Sequence, residues 1–331
     1  MIGTAVGEVD VSITGLGGRV PDRVVTNDEL EQYVETTNEW ILERTGIRER
    51  RMAAPDEALS DLALPACRDA LAQAGVDGGD VDLIIVATVT PDMSFPATAV
   101  LLADALGAAD AAAYDLSAGC TGFMYALAQG YSMLAGGLAR RALVVGGDVL
   151  SRILDWSDRS TLVLFGDGAG AVVLESAPAK GFLGFELGAD GGGGENLWLP
   201  GSGSRLFDHP ERYVKMNGRE VFRFATRILV QSAQNLLGRC DVSIDEVDVY
   251  IPHQANTRII DHATRRLGVP SDRVVVNVDR YGNTSSGSIP LALADAAAEG
   301  RLRPGALVLM TGMGAGLTWG SALMRWSKEM P

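Results

Sequence analysis

Two stretches of the chain share one order of apolar and polar positions. Apolar residues recur at helical spacing over residues 62–74, and a mainly apolar segment follows at 81–91. The same order returns at 222–237 and 247–253. A spacing of three to four residues is typical of an amphipathic helix, and a short apolar run is typical of a buried strand. The pattern therefore predicts a helix followed by a strand, twice.

The repetition continues beyond both strands. In the first stretch a helix, a strand and a turn at Cys120 come next, and an apolar strand follows at 142–147. In the second, the turn falls at Asn283 and the apolar strand at 306–312. Each half thus reads helix, strand, helix, strand, turn, helix, strand, which predicts a duplicated α/β fold. The predicted halves are residues 1–178 and 179–331.

Cys120 lies where a strand pattern ends and a helix pattern begins. The apolar run 111–114 leads into small residues at 117–119, and helix formers cover 123–134. The first turn of a helix has unpaired N–H groups and the positive end of the helix dipole, which lower the pKa of a thiol and favour nucleophilic attack. Taken alone, a lone cysteine is more often a buried apolar residue.

His253 comes directly after the predicted strand of the second half. A side chain at the carboxyl end of such a strand points into the crevice where open α/β folds bind ligands. The chain has three histidines. His209 lies in a polar turn and His262 on a predicted solvated helix face, so His253 is the candidate imidazole.

Asn283 lies in a turn of small residues that joins a strand pattern to a helix pattern. An asparagine at such a place is usually a plain turn or cap residue. The repeat, however, places it at the position equivalent to Cys120. Two halves packed together would bring the turns of Cys120, His253 and Asn283 to one crevice.

Composition limits the classes of partner and compartment. The chain has 331 residues, 47% of them hydrophobic, with 40 glycines and a net charge of −14. This acidity disfavours nucleic acid as a partner, since binding phosphate needs a basic surface. Three cysteines exclude a zinc site of four thiolates. The absence of a long apolar stretch and of a signal-peptide layout leads us to expect a cytoplasmic protein without membrane association.

Two glycine-rich runs differ in what they predict. The run at 191–194 lacks the Lys-Ser/Thr of a phosphate-binding loop and starts no helix pattern, so a flexible loop is predicted there. The run at 312–316 follows the last strand of the repeat. It predicts a turn in which bare backbone can approach a substrate closely.

Six ordered segments resemble the β-ketoacyl-acyl carrier protein synthase III family of the thiolase superfamily, over nearly the whole chain. Three of them are the segments around Cys120, His253 and Asn283; the others are residues 37–48, 158–171 and 314–320. The resemblance implies a five-layered α-β-α-β-α fold made from the duplicated half. It also implies an obligate homodimer and a Cys-His-Asn active site.

The reaction that the resemblance implies has two halves. Cys120 takes an acyl group from acyl-CoA, and malonyl-acyl carrier protein then loses carbon dioxide to give an enolate that attacks the acyl group. His253 and Asn283 would donate hydrogen bonds to the thioester oxygen where charge develops. The resemblance implies backbone N–H donors of an oxyanion hole at Cys120, Ala315 and Gly316. This chemistry requires no metal and no redox cofactor.

The resemblance also implies where substrates and partners bind. Residues expected at coenzyme A are Trp40, Arg44, Arg159 and Asn256. Residues expected at the acyl carrier protein are Gln254, Ala255, Asn256, Thr257, Arg258, Arg265 and Arg266. Residues expected at the acyl pocket are Met313 and, reaching across the dimer, Phe95. The alternatives are ordinary surface ion pairs for Arg44 and Arg159, and a plain loop anchor for Phe95.

The chain departs from the family pattern at one position, and three alternative functions stay open. Where the family usually has three glycines in its last loop, this chain has Ala315 between Gly314 and Gly316, which leaves pocket shape and starter length open. A starter-specific polyketide ketosynthase would have the same catalytic residues. A related acyltransferase that transfers to an alcohol or amine tends to lack the asparagine, so Asn283 disfavours it. A non-catalytic scaffold would not need these residues together.

Overall fold

The computed structural model describes residues 2–5, 10–176, 181–206 and 208–327. The predicted boundary between halves, at 178 and 179, lies outside these residues and stays a prediction. The strands are β1 Ile2–Ala5, β2 Val11–Arg19, β3 Val24–Thr26, β4 Glu49–Arg51, β5 Leu83–Ala87, β6 Ala112–Leu116, β7 Arg141–Asp148, β8 Gly168–Ser176, β9 Phe182–Ala189, β10 Leu197–Trp198, β11 Lys215–Met216, β12 Val249–Pro252, β13 Leu307–Gly314 and β14 Thr318–Arg325.

The helices include the two amphipathic segments expected from the repeat. They are α1 Asn27–Leu30, α2 Asn38–Thr45, α3 Leu59–Ala74, α4 Thr98–Leu106, α5 Gly122–Ala135, α6 Arg159–Leu162, α7 Gly218–Arg239, α8 Thr257–Leu267, α9 Val278–Tyr281 and α10 Ser288–Ala298. Thus α3 and α7 confirm the helices predicted at 62–74 and 222–237. The structure extends α7 at its first turn, where the Asn217 side chain accepts a hydrogen bond from Glu220 N–H.

Two five-stranded sheets share a run of four strands, in which β2-β8-β7-β5 of the first correspond to β9-β14-β13-β12 of the second. The first runs β2-β8-β7-β5-β6, and the second runs β1-β9-β14-β13-β12. In the first, β5 is parallel to both β6 and β7. In the second, β12 is parallel to β13 on one side and forms a parallel bridge between Tyr250 and Val274 on the other. The duplicated α/β fold is therefore confirmed. The first strand, β1, pairs with β9 and so lies in the second sheet.

Alternating side chains divide the strands between layers. In β5, Ile85 packs against α5 and α10 in the central core, whereas Ile84 faces the outer layer of α3 and α4. In β13, Met310 faces the same central core, and Leu309 faces α7 and α8 on the far side. Because neighbouring residues of a strand point to opposite faces, each sheet is covered twice. The layers are therefore α-β-α-β-α, as expected.

The glycine-rich runs are more ordered than predicted. Residues Gly191–Asn196 form a 3-10 helix, because the Asp190 side chain accepts a hydrogen bond from Gly192 N–H at 3.0 Å and caps it. A 3-10 helix therefore stands where a loop was expected. In the later run, Gly314 still belongs to β13, so the turn begins only at Ala315. Within the described part of the chain, no helix combines the length and apolar character needed to span a bilayer.

Candidate active site

The turns carrying Cys120, His253 and Asn283 meet at one cavity. This cavity has a volume of about 320 Å³, and all three side chains line it. Its other lining residues include Trp40, Arg44 and Arg159, which were expected at coenzyme A. We call it the tunnel cavity. The two sheets thus bring together the three turns that the repeat placed in a common crevice.

The turn of Cys120 is packed tightly against the turn that joins β13 to β14. Gly119 has φ +57, and a Cβ on it would lie 2.8 Å from the nitrogen of Ala315. A Cβ on Gly314 would lie 2.6 Å from the nitrogen of Cys120. The hydroxyl of Thr318 lies 2.9 Å from the carbonyl oxygens of both Ala118 and Ala315. Glycine is therefore required on both sides of this contact.

Burial raises the pKa of the Cys120 thiol to about 11, well above its ordinary value. A hydrogen bond from the Ser285 hydroxyl lowers it, the charge of Asp148 raises it, and the N–H groups of Cys120 and Ala315 lower it. The expected thiolate at the start of the helix is therefore a wrong prediction for the substrate-free site, because desolvation outweighs these donors. The two N–H groups nevertheless face the sulfur from the positions expected for the oxyanion hole.

His253 is held by its backbone and by its ring. It follows β12, its N–H donates to Thr311 O at 2.8 Å, and its ring Nδ1 lies 2.9 Å from Ser288 Oγ. The side chain is buried, and this burial lowers the pKa of His253 to about 4. The imidazole is therefore neutral at pH 7.

Asn283 is oriented by three hydrogen bonds. Its backbone N–H donates to Leu164 O at 2.8 Å, and its carbonyl accepts from Gly166 N–H at 3.0 Å. Its side-chain Oδ1 accepts from Ser285 N–H at 2.9 Å. Since the oxygen is occupied by this donor, the NH₂ end of the amide is the end available to a ligand. Ser285 itself has φ 53, a left-handed conformation that is uncommon outside glycine and often found at functional sites.

Two guanidinium groups lie over the ring of Trp40 in the wall of the tunnel cavity. The guanidinium carbon of Arg44 lies 4.6 Å from the ring centroid of Trp40, and that of Arg159 lies 4.7 Å from it. Arg159 also donates to Glu35 O at 2.7 Å. Such groups suit a nucleotide, because guanidiniums bind phosphate and both aromatic rings and guanidinium planes can stack on a base.

Asn256 lines the tunnel cavity, but its side chain has a local role. Its Oδ1 accepts from Arg258 N–H at 2.8 Å, which caps α8, and its Nδ2 donates to Arg44 O at 3.1 Å. It therefore joins α8 to the segment that carries Arg44. Contact with pantetheine stays a prediction for this residue.

Two residues expected at a carrier-protein surface are buried instead. Gln254 is 1% exposed and Ala255 is 7% exposed, so neither presents a side chain to a docked protein. The expectation for them is corrected, because the chain turns inward after His253 before α8 begins. Arg258, Arg265 and Arg266 are exposed on α8, as the spacing predicted.

A second cavity of about 110 Å³ lies on the other side of Cys120. We call it the acyl cavity. Met313 does not line it and lies instead on the tunnel cavity, while Phe95 is 85% exposed and lines neither. Sequence reasoning missed most of the residues that do line it, because they come from separate segments without a motif of their own. They include Val89, Leu150, Ile153, Leu197, Trp198, Leu199 and Val214.

Comparison with known proteins identifies the family. Two family models match, "3-Oxoacyl-[acyl-carrier-protein (ACP)] synthase III" over residues 114–191 and its C-terminal counterpart over residues 237–326. The beta-ketoacyl-[acyl-carrier-protein] synthase III of Symbiobacterium thermophilum is 52% identical over 325 residues, which cover 96% of this chain and 98% of that protein.

Solved structures show the same likeness. The beta-ketoacyl-[acyl carrier protein] synthase III of Thermus thermophilus is 48% identical, with a TM-score of 0.91 over 96% of this chain and 99% of that one. The priming β-ketosynthase of the R1128 polyketide pathway is 37% identical, with a TM-score of 0.92 over 98% of each chain.

Fold and site together define a condensing acyltransferase with a duplicated thiolase-like fold. Within that class, the chain belongs to the β-ketoacyl-[acyl-carrier-protein] synthase III family.

Proposed function

We propose that the chain condenses a short acyl-CoA starter with malonyl-acyl carrier protein to give a β-ketoacyl-acyl carrier protein, the reaction that initiates fatty acid synthesis. The observation that carries this proposal is the tunnel cavity, which joins Cys120, His253 and Asn283 to the Trp40–Arg159 pair. A nucleotide held at that pair would direct its acyl thioester towards the sulfur. The family membership supports the same reaction.

The first half-reaction is a thioester exchange. The sulfur of Cys120 attacks the thioester carbon of acyl-CoA, the bond to the coenzyme A sulfur breaks, and the proton lost by Cys120 ends on the released thiol. The step therefore needs no net base. The N–H groups of Cys120 and Ala315 are placed to stabilise the tetrahedral oxyanion.

The second half-reaction makes a carbon nucleophile. Loss of carbon dioxide from the malonyl thioester leaves its bonding electron pair as an enolate, and the NH₂ of Asn283 and a ring N–H of His253 donate to the enolate oxygen. The enolate carbon then attacks the acyl carbon on Cys120. The electron pair of the broken C–S bond returns to sulfur, which takes a proton from solvent. The negative charge in this step comes from the malonyl carboxylate and passes through the enolate to the Cys120 sulfur, whereas Asn283 and His253 act as neutral donors.

The acyl cavity favours a short apolar starter. Its volume is about 110 Å³, and side chains such as Leu150, Ile153 and Val214 make it apolar. A polar or long acyl group would meet unfavourable surroundings or exceed this space. The same cavity would hold the starter of a polyketide ketosynthase. Identities of 52% and 48% to the beta-ketoacyl-[acyl-carrier-protein] synthase III proteins of Symbiobacterium thermophilum and Thermus thermophilus, against 37% to the priming polyketide ketosynthase, support the fatty acid pathway.

We further propose a homodimer that forms at the edge of the first sheet. Within the described residues, β6 pairs on one side only, with β5. The loop just before α4 exposes Phe95, and Val100 on α4 is 44% exposed. An unpaired edge beside exposed apolar residues is a surface that proteins normally cover. In such a dimer Phe95 would reach the partner's acyl cavity.

The carrier protein is proposed to dock on α8. Arg258, Arg265 and Arg266 form an exposed basic patch on a chain of net charge −14. Acyl carrier proteins are strongly acidic, so a local basic patch beside the tunnel cavity supplies charge complementarity. We also propose a cytoplasmic location, which is supported by the unpaired thiols of Cys67, Cys120 and Cys240.

One experiment tests the function as a whole. The protein is incubated with acetyl-, isobutyryl- and hexanoyl-CoA and then with malonyl-acyl carrier protein, and the Cys120 peptide and the carrier are analysed by mass spectrometry. We expect an acyl adduct on Cys120, followed by a β-ketoacyl group on the carrier. Acylation without a condensed product would instead identify a plain acyltransferase. Transfer to the carrier protein of a polyketide cluster alone would identify a polyketide ketosynthase.

A further inference from the structure

Ser288 connects the imidazole of His253 to the backbone of the next residue. It is the first residue of α10, and it is 1% exposed. Its Oγ lies 2.9 Å from His253 Nδ1 and accepts a hydrogen bond from Gln254 N–H at 2.7 Å. No step of the proposed reaction uses this hydroxyl. Within the described residues, the hydrogen bonds of this hydroxyl are with His253 and with Gln254, the residue that follows it.

The hydroxyl has one proton, and its surroundings decide where that proton points. The Gln254 N–H occupies one lone pair of Oγ. Among the described residues, the acceptor within hydrogen-bond distance of this hydroxyl is Nδ1 of His253. A buried hydroxyl proton without an acceptor is unfavourable. The proton of Ser288 therefore points to Nδ1, which must then be the unprotonated nitrogen of a neutral ring.

We propose that Ser288 is a positioning residue that holds His253 in the Nε2–H tautomer. The effect of the tautomer on the reaction rests on the proposed function. In that reaction, a ring with hydrogen on Nε2 can donate to the enolate oxygen. With hydrogen on Nδ1, Nε2 would instead present a lone pair to that oxygen and repel it. The low pKa of His253, about 4, supports a neutral ring throughout the working range of pH.

Gln254 keeps the donor that orients Ser288 in place. Its Nε2 donates to Pro252 O at 2.8 Å and to Val275 O at 3.0 Å, and its Oε1 accepts from Asn277 N–H at 2.9 Å. The buried amide thus ties the end of β12 to the segment that leads to Asn283. This accounts for the inward position of Gln254. The direction of its backbone N–H, and with it the direction of the Ser288 hydroxyl, is fixed by this network.

Nitrogen NMR reads the tautomer without any substrate. The chain has three histidines, so ¹⁵N-histidine labelling gives few signals, and His209→Gln and His262→Gln variants assign them. We expect a protonated Nε2 and an unprotonated Nδ1 for His253 at pH 7 and 8. A protonated Nδ1 in the wild-type protein would overturn the proposal. This measurement is independent of whether the protein condenses anything.

Substitution tests the consequence for the reaction. In Ser288→Ala we expect the Nδ1–H tautomer to become populated and the kcat of condensation to fall about 10- to 100-fold, the usual scale for losing a group that orients a reacting side chain. Acylation of Cys120 by acyl-CoA should change less than about threefold. Ser288→Thr, which keeps the hydroxyl, should restore the Nε2–H signal and most of the kcat.

The matched control is Ser232→Ala. Ser232 is also buried, and its hydroxyl lies 2.6 Å from that of Ser321, away from both cavities. This control should leave the tautomer and the ratio of the two half-reactions unchanged. An unchanged tautomer and an unchanged kcat in Ser288→Ala would overturn the proposal. If wild-type protein showed the Nε2–H tautomer but no condensation, the proposed function would fail and the tautomer assignment would stand.

Discussion

The three candidate catalytic side chains of this site are uncharged. The thiol of Cys120 has a raised pKa of about 11, the imidazole of His253 a lowered pKa of about 4, and Asn283 cannot ionise. Burial causes both shifts, and each favours the uncharged form. An enolate formed among neutral donors meets no fixed negative charge on these three side chains. These side chains are therefore better suited to stabilising a developing anion than to removing a proton as a charged base.

The first prediction concerns the reactivity of Cys120 without substrate. Because its pKa is raised, the thiolate fraction at neutral pH is small and should rise about tenfold per pH unit. We expect the rate of iodoacetamide alkylation at Cys120, measured by peptide mass spectrometry, to keep rising from pH 7 to pH 9. Buried Cys67 serves as the internal control. A plateau below about pH 8 would show that the helix field outweighs burial.

The second prediction concerns Asn283. Asn283→Asp keeps an acceptor for Ser285 N–H at the position of Oδ1, so the local structure should persist. It replaces the donating NH₂ by a carboxylate oxygen where negative charge develops, and condensation should fall about 100-fold or more. Acylation of Cys120 should continue. Steady-state assays of the two half-reactions separate these effects, and condensation at the wild-type rate would contradict the role assigned to Asn283.

At the scale of elements, α8 has a buried face and an exposed face. Its buried face places Ile259 and Ala263 against α7 and the tunnel cavity. Its exposed face carries the three arginines proposed to meet the carrier protein. Arg258 also lies over the ring of Phe222 on α7, 5.5 Å from the centroid, so one side chain links the patch to the tunnel wall. The proposed docking surface for the carrier protein and a wall of the tunnel cavity therefore belong to the same helix.

The third prediction tests this patch. In the double variant Arg265→Glu with Arg266→Glu, the apparent KM for malonyl-acyl carrier protein should rise severalfold or more, because the acidic partner is repelled. The rate of Cys120 acylation from acyl-CoA should stay nearly unchanged. Raising the salt concentration should reduce the difference. Arg303→Glu, at an exposed arginine that lines neither cavity, is the control. Equal losses with both substrates would assign these arginines to the fold or to coenzyme A.

At the scale of the whole molecule, packing of the two sheets around α5 and α10 assembles the site. The central core joins Phe123 and Leu127 of α5 to Ile289 and Leu293 of α10. Both helices begin at active-site turns, so their mutual packing fixes the turn of Cys120 relative to that of Asn283. The acyl cavity depends on still longer-range contacts, and its proposed end wall belongs to a second copy of the chain.

The fourth prediction concerns that second copy. Phe95→Ala should lengthen the acyl cavity of the partner and raise kcat/KM for hexanoyl-CoA relative to acetyl-CoA, since each extra buried CH₂ contributes about 0.8 kcal/mol. Sedimentation would verify that the dimer persists. Leu138→Ala removes another apolar side chain, 78% exposed, and should leave the chain-length profile unchanged. An unchanged profile for Phe95→Ala in an intact dimer would exclude this role.

The sequence by itself determined the order of elements and the three candidate catalytic residues that meet at the tunnel cavity. Periods of apolar positions are local, so helices such as α3 and α7 and strands such as β5 could be predicted from them. The repeat related Cys120 to Asn283, because duplicated segments fold alike. These features depend on neighbours within a few residues or on the comparison of one segment with another.

Only the tertiary structure decided how these residues are surrounded. Burial raises the pKa of Cys120 although it precedes a helix, and Gln254 is buried although the family resemblance placed it at the carrier-protein surface. The acyl cavity combines segments as distant as Val89 and Val214. Desolvation and cavity shape depend on atoms brought together from far apart in the chain. No local sequence pattern contains the positions of those distant atoms. Desolvation of the site and the shape of the acyl cavity were therefore decided by the packing of the two sheets.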